Sequence, residues 1–362
     1  MPSDRVPNLA SQKSASPETT WTKWLRPDPY ALVLLSVVVT ASVLPCRGDA
    51  AVGFEWLTKV AIFLLFFMHG AKLSRAAIFG GIGAWRLHTL VLMSTFLLFP
   101  ALGLLVSTLP NSLVSPTVKM GFLFLTILPS TVQSSIAFTS MARGNVAAAV
   151  CTASLSNMLG VFITPLLAGL LMRSELQSGG GDLLGVMQSI ILTLLAPFLV
   201  GHLSRPLIGA WIDRNKGVLS KLDRGAILLV VYTAFSAAVV DGIWLRVSGF
   251  DIVTILFLSA LVLSVVLFLT RKAAQVARLN KSDEITLVMC GWEKSAASGV
   301  PMGAGLFAPA QVGVIILPLM IFHQMQLIVC AMIARSYGER TDRAWPSRGA
   351  AETHSNPCLI RS

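Results

Sequence analysis

The sequence predicts an all-α membrane protein of ten transmembrane helices, built as two inverted five-helix repeats, on three observations. Of its 362 residues, 54% are hydrophobic and only 12% are charged, and the mean hydropathy is +0.74. The surface of a soluble globule draws on a charged fraction of about a quarter, so this chain has too little charge to coat one. The second observation is a series of ten apolar runs, and the third is a one-sided distribution of Lys and Arg between them.

Crossing a bilayer takes roughly 17–25 apolar residues. Runs that meet or approach this length lie near 29–45, 54–71, 87–108, 117–141, 146–172, 183–203, 222–240, 250–270, 284–307 and 311–334. The first is bounded by Pro29 and Pro45. Residues 1–28 are polar and read as a tail with no early apolar stretch of the kind a cleaved signal carries. Residues 336–362 are basic and polar and read as a second tail.

With the N-terminus in the cytoplasm, the inner segments hold 22 of the 28 Lys and Arg residues and the outer ones five, leaving Lys294 within a span. Basic residues gather on the cytoplasmic side of membrane proteins, so both termini are expected there, in a cell membrane crossed many times. Five spans run from inside to outside, and a second five therefore start inverted: a first repeat over 29–174 and a second over 183–335. The excess of 28 basic over 17 acidic residues is accounted for by these loops and calls for no nucleic acid; the surroundings are lipid. The five cysteines show no CxxC spacing and three lie within apolar runs, which supports neither a disulfide framework nor a zinc site. No HExxH, Walker loop or GxSxG appears, so an enzyme is disfavoured.

The fourth span of each half is interrupted. Pro129, Ser130 and Thr131 sit midway along the fourth, and Gly291, Gly299 and Pro301 along the ninth. Paired Gly/Pro interruptions in two inverted halves point to a transporter's binding site. Pro129 deprives the Leu125 carbonyl of its helical partner, and Thr131, Gln133, Ser134 and Ser135 follow it; a plain kink is the other reading. In the fifth span Ser156 and Gly160 share a face, able to approach the fourth span or merely to pack closely, and Asn157 needs partners for its amide. Glu293, Lys294 and Ser295 lie about ten residues into the ninth span. A Lys at mid-helix costs about 2.5–3.5 kcal/mol on insertion scales, and so implies either function or a side chain reaching back to the membrane surface. His69 and His323 read as structural.

Four stretches carry a resemblance: Leu128 to Asn145, Asn157 to Pro165, Leu222 to Ser236, and Lys294 to Pro301. On them the chain resembles the bile acid:sodium symporter family, in its sodium-bile-acid-symporter-like branch. The resemblance implies a panel domain of spans 1, 2, 6 and 7, and a core domain in which the broken spans 4 and 9 cross. It also implies sodium as the coupling ion, with Ser134, Ser135, Ser156 and Glu293 as its ligands, and no other cofactor. Two departures stand out. The acidic sodium ligand of the symporters falls at Met289, and Glu293 and Thr95 stand where relatives carry Gln.

The expected function is cation-coupled symport, by sodium or protons, of a small organic anion; the rival is a membrane regulator or scaffold that borrows the fold. Solute and ion are expected at Thr131, Gln133, Ser134, Ser135, Ser156, Asn157, Glu293, Lys294 and Ser295, with the hydroxyls of Ser134, Ser135 and Ser156 converging on one site. Lys294 is expected to act as a built-in cation with Glu293 as its counter-ion, once the backbone unwinds enough for these neighbours to meet. The competing reading keeps Glu293 as a sodium ligand and turns Lys294 to cytoplasmic water. Reporter fusions after Ser362 and within residues 109–116 are expected to report opposite compartments, the cytoplasm for the first. The same compartment for both refutes the ten-helix count.

Overall fold

The computed structural model describes residues 29–72, 84–172, 188 and 191–344; the polar segment 1–28 and the expected start of the sixth span near 183 lie outside them. Among the described residues every regular element is helical. In chain order they are α1 (Pro29–Val43), α2 (Asp49–Lys72), α3 (Trp85–Ser107), α4 (Pro116–Thr126), α5 (Gln133–Met141), α6 (Val146–Leu171) and α7 (Ala196–Arg214). There follow α8 (Lys216–Val240), α9 (Ile243–Arg246), α10 (Gly249–Val276), α11 (Lys281–Cys290), α12 (Ala296–Leu306) and α13 (Pro309–Ala344).

Seven helices among the described residues are long and apolar enough to cross a membrane, and α1 is a shorter apolar helix. Large apolar side chains cover the outside, as with Leu203, Leu207 and Leu245, which are 76%, 88% and 94% exposed. The polar side chains Thr126, Ser135, Ser156, Glu293, Lys294 and Gln326 are wholly buried. That inversion of a soluble protein's order is expected where the solvent is lipid.

Sequence sets the helix starts. Ser115 caps α4 by accepting from Val118 N, with Pro116 at the first helical position, where its missing N–H costs nothing. Asn145 caps α6, Asn280 caps α11 and Ser295 caps α12. Ser248 and Asp251 close a reciprocal capping box on α10. Between α8 and α9 the chain turns through Gly242 at φ +81°, a left-handed conformation that glycine adopts without a Cβ clash.

Several helices are longer than their apolar runs. The expected stop at 203 gives way to Arg214, because Pro206 lies inside α7 without ending it. Helix α8 starts at Lys216 rather than 222, α10 runs on to Val276, and α13 continues to Ala344, into the segment expected to be a tail. Polar residues at helix ends are compatible with helix once they leave the apolar zone, so hydropathy marks the run and not the helix. The expected fourth span is two helices, α4 and α5, and the ninth is α11 and α12.

Helices α1, α2, α7 and α8 pack together. The closest approach is between α2 and α7, where two glycines replace side chains reciprocally. A Cβ on Gly70 would overlap the Phe198 carbonyl, and one on Gly201 would overlap that of Phe67. Thr58 on α2 and Thr233 on α8 share a hydrogen bond of 2.9 Å, and Lys72 pairs with Asp223 between the same helices. Tyr232 on α8 donates to the Leu44 carbonyl after α1 at 3.0 Å. Elsewhere Asn145 ties α6 to α11, with its Nδ2 2.9 Å from Asp283 Oδ1 and its backbone N–H 2.9 Å from Thr286 Oγ1. Because backbone stands where the new side chain would go, Gly201→Val is expected to destabilise the protein by about 1–3 kcal/mol or more, as overpacking does. Thermal unfolding of the purified variant measures this, and an unchanged midpoint contradicts the packing.

Candidate functional site

Two helix breaks meet inside the protein. The first spans residues 127–132 between α4 and α5, and the second spans 291–295 between α11 and α12. Gly299 and Pro301 lie within α12, so the second break is upstream of two of the residues expected to make it. Helix ends leave backbone carbonyls and N–H groups unpaired, and here they pair across the junction. Ser295 N donates to the Pro129 carbonyl at 2.9 Å, and Ser130 Oγ donates to that of Cys290 at 2.9 Å. Ser94 on α3 donates to the Gly291 carbonyl.

Helix α6 supports the first break. The Ser156 hydroxyl accepts from Ser130 N at 3.1 Å, and Thr164 Oγ1 donates to the Ile127 carbonyl at 2.8 Å. One turn beyond Ser156, a Cβ on Gly160 would come within 2.6 Å of Pro129 Cβ, so the shared face of Ser156 and Gly160 is a docking surface for the break. Asn157 links the first break to the first turn of α12: its Nδ2 donates to the Ser130 carbonyl at 2.7 Å and its Oδ1 accepts from Ser298 Oγ at 2.7 Å. Leu128 N reaches the Leu125 carbonyl at 3.4 Å, standing in for the N–H that Pro129 lacks.

Glu293 and Lys294 point in opposite directions from the second break. Glu293 Oε2 accepts from Thr131 Oγ1 at 2.6 Å, Ser134 Oγ at 2.5 Å and Ser135 Oγ at 3.0 Å, and Oε1 accepts from Cys330 Sγ at 3.1 Å. Ser134 and Ser135 occupy the first turn of α5, where the positive end of the helix dipole suits a carboxylate. The Lys294 ammonium donates to the carbonyls of Thr95, Thr126 and Leu128 at 2.9, 2.8 and 2.7 Å. It lies 4.1 Å from the centre of the Phe99 ring, within range of a cation–π attraction. Gln326 of α13 clamps the same residue's backbone, accepting from Lys294 N at 2.8 Å and donating to its carbonyl at 2.9 Å.

The expected counter-ion pairing of Glu293 with Lys294 is therefore absent. The backbone does unwind there, but each side chain finds partners of its own. Nor does Lys294 reach toward water, being wholly buried. Thr131, Ser134 and Ser135 come together on Glu293, while Ser156 is spent on the Ser130 backbone. Ser295 serves as cap and crossing bond, and Gln133 is exposed, outside the cluster. Cys330 had no chemical signature beyond lying in an apolar run; Gln326 stands out in the polar run from His323 but is not among the expected site residues, although a Gln at that depth needs partners. His69 bonds the Leu65 carbonyl one turn back, a structural role. A surface cavity of about 460 Å³, lined by Arg271, Lys281, Glu284 and Tyr337 among others, lies at the far ends of α11 and α13. Its chemistry is that of a solvated rim, whereas the wholly buried Glu293 and Lys294 are at the crossing.

The sequence model of the SBF-like CPA transporter family matches residues 28–339. A Pseudomonas aeruginosa protein, PA2026, is 52% identical over 318 residues, covering 88% of this chain and 95% of that one. The Escherichia coli K12 protein named "Putative symporter YfeH" is 53% identical over 316 residues, 87% of this chain and 94% of its own. Sodium/bile acid cotransporter 7-B of Xenopus laevis is 24% identical over 319 residues, 85% and 91% of the two chains.

Replacing Asn157 by Leu removes a side chain bonded both to the first break and to the first turn of α12, and strands the Ser130 carbonyl. A buried polar group left without its partner costs about 1–3 kcal/mol. Asn157→Leu is expected to lower the thermal midpoint by a corresponding margin, and Ser298→Ala by less. Equal midpoints for Asn157→Leu and wild type would show that the breaks do not depend on this link.

Proposed function

Because this chain belongs to the SBF-like CPA transporter family, and is a multi-pass membrane transporter and not an enzyme, we propose that it is a secondary active symporter of a small organic anion. A cation, sodium or a proton, drives it, and the protein works by alternating access. The observation that carries the reading is the meeting of two helix breaks around a buried carboxylate held by three hydroxyls. A chain that only spans or scaffolds has no use for broken backbone and a carboxylate at this depth, since both are costly in lipid.

The ten-helix architecture follows on the same footing. Seven long helices, the short α1, and the pairs α4–α5 and α11–α12 make ten crossings. Helices α4 and α11 have eleven and ten residues, about 15 Å each at 1.5 Å per residue. Half a bilayer's hydrocarbon thickness is about 15 Å, so both breaks fall near the midplane. The first inverted repeat then comprises α1–α6 and the second α7–α13, with both termini cytoplasmic. Helices α1, α2, α7 and α8 form the panel, and the helices around the breaks form the core.

Glu293 is the proposed cation site. Its carboxylate with the hydroxyls of Thr131, Ser134 and Ser135 is an all-oxygen donor set, the chemistry a hard cation such as sodium requires. A proton on Glu293 would use the same groups, because each hydroxyl can turn from donor to acceptor. The charge of the carboxylate changes when either cation arrives, and with it the cost of exposing or burying the crossing as panel and core slide. In the conformation seen, Glu293 and Lys294 are both closed off from solvent, as an intermediate between two accessible states would be. The anionic class of the solute rests on the resemblance to the family and on relatives named as sodium/bile acid cotransporters.

Purified protein screened by thermal shift against organic anions, with and without sodium, is expected to give stabilisation by one anion class that a cation or lower pH enhances. The double variant Ser134→Ala/Ser135→Ala leaves Glu293 without two of its hydroxyl donors. It is expected to lose most cation-dependent uptake while expressing and folding like wild type. Uptake at the wild-type rate returns the first break to a plain kink, and a cellular phenotype that survives without uptake favours the regulator.

A further inference from the structure

We propose that the Lys294 ammonium is a built-in monovalent cation. It fills a cage of backbone carbonyls that would otherwise hold a free one, so this half of the crossing keeps its positive charge without drawing an ion from solution. The inference deepens the transport reading above and rests on it for its meaning in a cycle.

The cage is made by backbone that cannot bond to itself. Helix α3 carries a π turn over Ser94–Leu98, and Phe99 N–H goes to the Ser94 carbonyl. The next residue is Pro100, which has no N–H, so the Thr95 carbonyl is left without a helical partner. In the first break the N–H that would serve Thr126 belongs to Ser130, and Ser156 has taken it. Leu128 lies within the break itself. These three oxygens, from α3, the end of α4 and the break that follows it, converge on Lys294 Nζ at 2.7–2.9 Å. An ammonium has three N–H donors, and here each has one carbonyl. The Phe99 ring closes another side at 4.1 Å.

Three features mark this group as a fixed cation and not as a binding group for the solute. No donor is left over for an anion. The negative partner is the C-terminal end of α4, whose final carbonyls carry the helix's partial negative charge, and not a carboxylate. The Gln326 clamp bonds the N–H and the carbonyl of Lys294 at once, which fixes the backbone from which the ammonium is carried. Backbone carbonyls in a ring are also what a desolvated alkali ion takes as ligands. One exchangeable cation, at Glu293, then remains for each transport cycle.

The test empties the cage. Thermal unfolding of wild type and Lys294→Ala is followed at constant ionic strength in choline, ammonium, sodium or potassium chloride. Choline is too large to enter. Lys294→Ala is expected to unfold several degrees below wild type in choline, and to recover part of that loss in ammonium or in an alkali cation. This response must exceed any that wild type shows, because a ligand that binds only the folded state raises its midpoint. A Lys294→Ala protein that is no better in the small cations than in choline overturns the proposal, as does a wild type that responds as strongly as the variant. Should Lys294→Ala not fold, Lys294→Gln decides. A neutral amide that retains the wild-type midpoint shows that the carbonyls need donors but no charge, and a fall in midpoint supports a cation. Stability is read without any solute, so loss of the cage leaves the transport reading standing, and failure of uptake leaves the cage standing.

Discussion

A helix broken inside a membrane exposes backbone that lipid cannot hydrogen-bond, and everything around the crossing answers that constraint. The carbonyls of Leu123 to Ser130 run without interruption through the first break. They find, in turn, Thr126 Oγ1, Ile127 N, Leu128 N, the Lys294 ammonium, Thr164 Oγ1, the Lys294 ammonium again, Ser295 N and Asn157 Nδ2. Three of these eight bonds, two from Lys294 and one from Ser295, come from the other break only because two breaks lie together. A single broken helix would have had to find them in water. The electrostatics follow the same division: the negative end of α4 receives the cation of the pair Glu293–Lys294, and the positive end of α5 receives the anion.

Much of this could be read in advance, and the residues show where reading stops. Apolar runs located the long helices among the described residues, and Pro129 marked the first break. The bare fact of Glu293 and Lys294 inside an apolar run marked the place where cost demands a purpose. The common face of Ser156 and Gly160 was visible from spacing alone. What failed was partnership. Lys294 looked for the nearest opposite charge in sequence and found carbonyls, which carry no residue-type signature because every residue has one. The release of Thr95 depends on a π turn and Pro100 in combination, and nothing in the apolar run of α3 announces the π turn. Cys330, a donor to Glu293, reads as filler among its neighbours. Helix ends were missed for a related reason: α7 passes through Pro206 and α13 through Arg335 because helix continues where hydropathy no longer reports it.

The two groups of helices differ in the kind of contact that holds them. Helices α2 and α7 meet backbone to backbone at Gly70 and Gly201, with the Lys72–Asp223 pair and the Thr58–Thr233 bond fixing α8 beside them. The helices around the breaks are held by directed polar bonds, each of which has a definite length and angle. Close van der Waals contact resists shear within the first group. A hydrogen-bonded junction holds the second in register but can exchange partners when charge changes. That contrast accords with the alternating-access proposal, in which the boundary that moves lies between the groups and the carboxylate is on the hydrogen-bonded side.

The span between bonded residues at the crossing has a consequence for how the protein is made. Thr95, Thr126 and Leu128 lie 199, 168 and 166 residues before the ammonium that satisfies them. A ribosome adds about 5–20 residues per second, so the first break is complete roughly ten to thirty seconds before its partner leaves the tunnel. Throughout that interval the carbonyls of Thr126, Leu128 and Pro129 lack the partners that Lys294 and Ser295 supply. Each half thus lacks what the other supplies, and the first cannot mature until the second is threaded. The crossing therefore closes only after Lys294 and Ser295, and then Gln326 and Cys330 of α13, have been made.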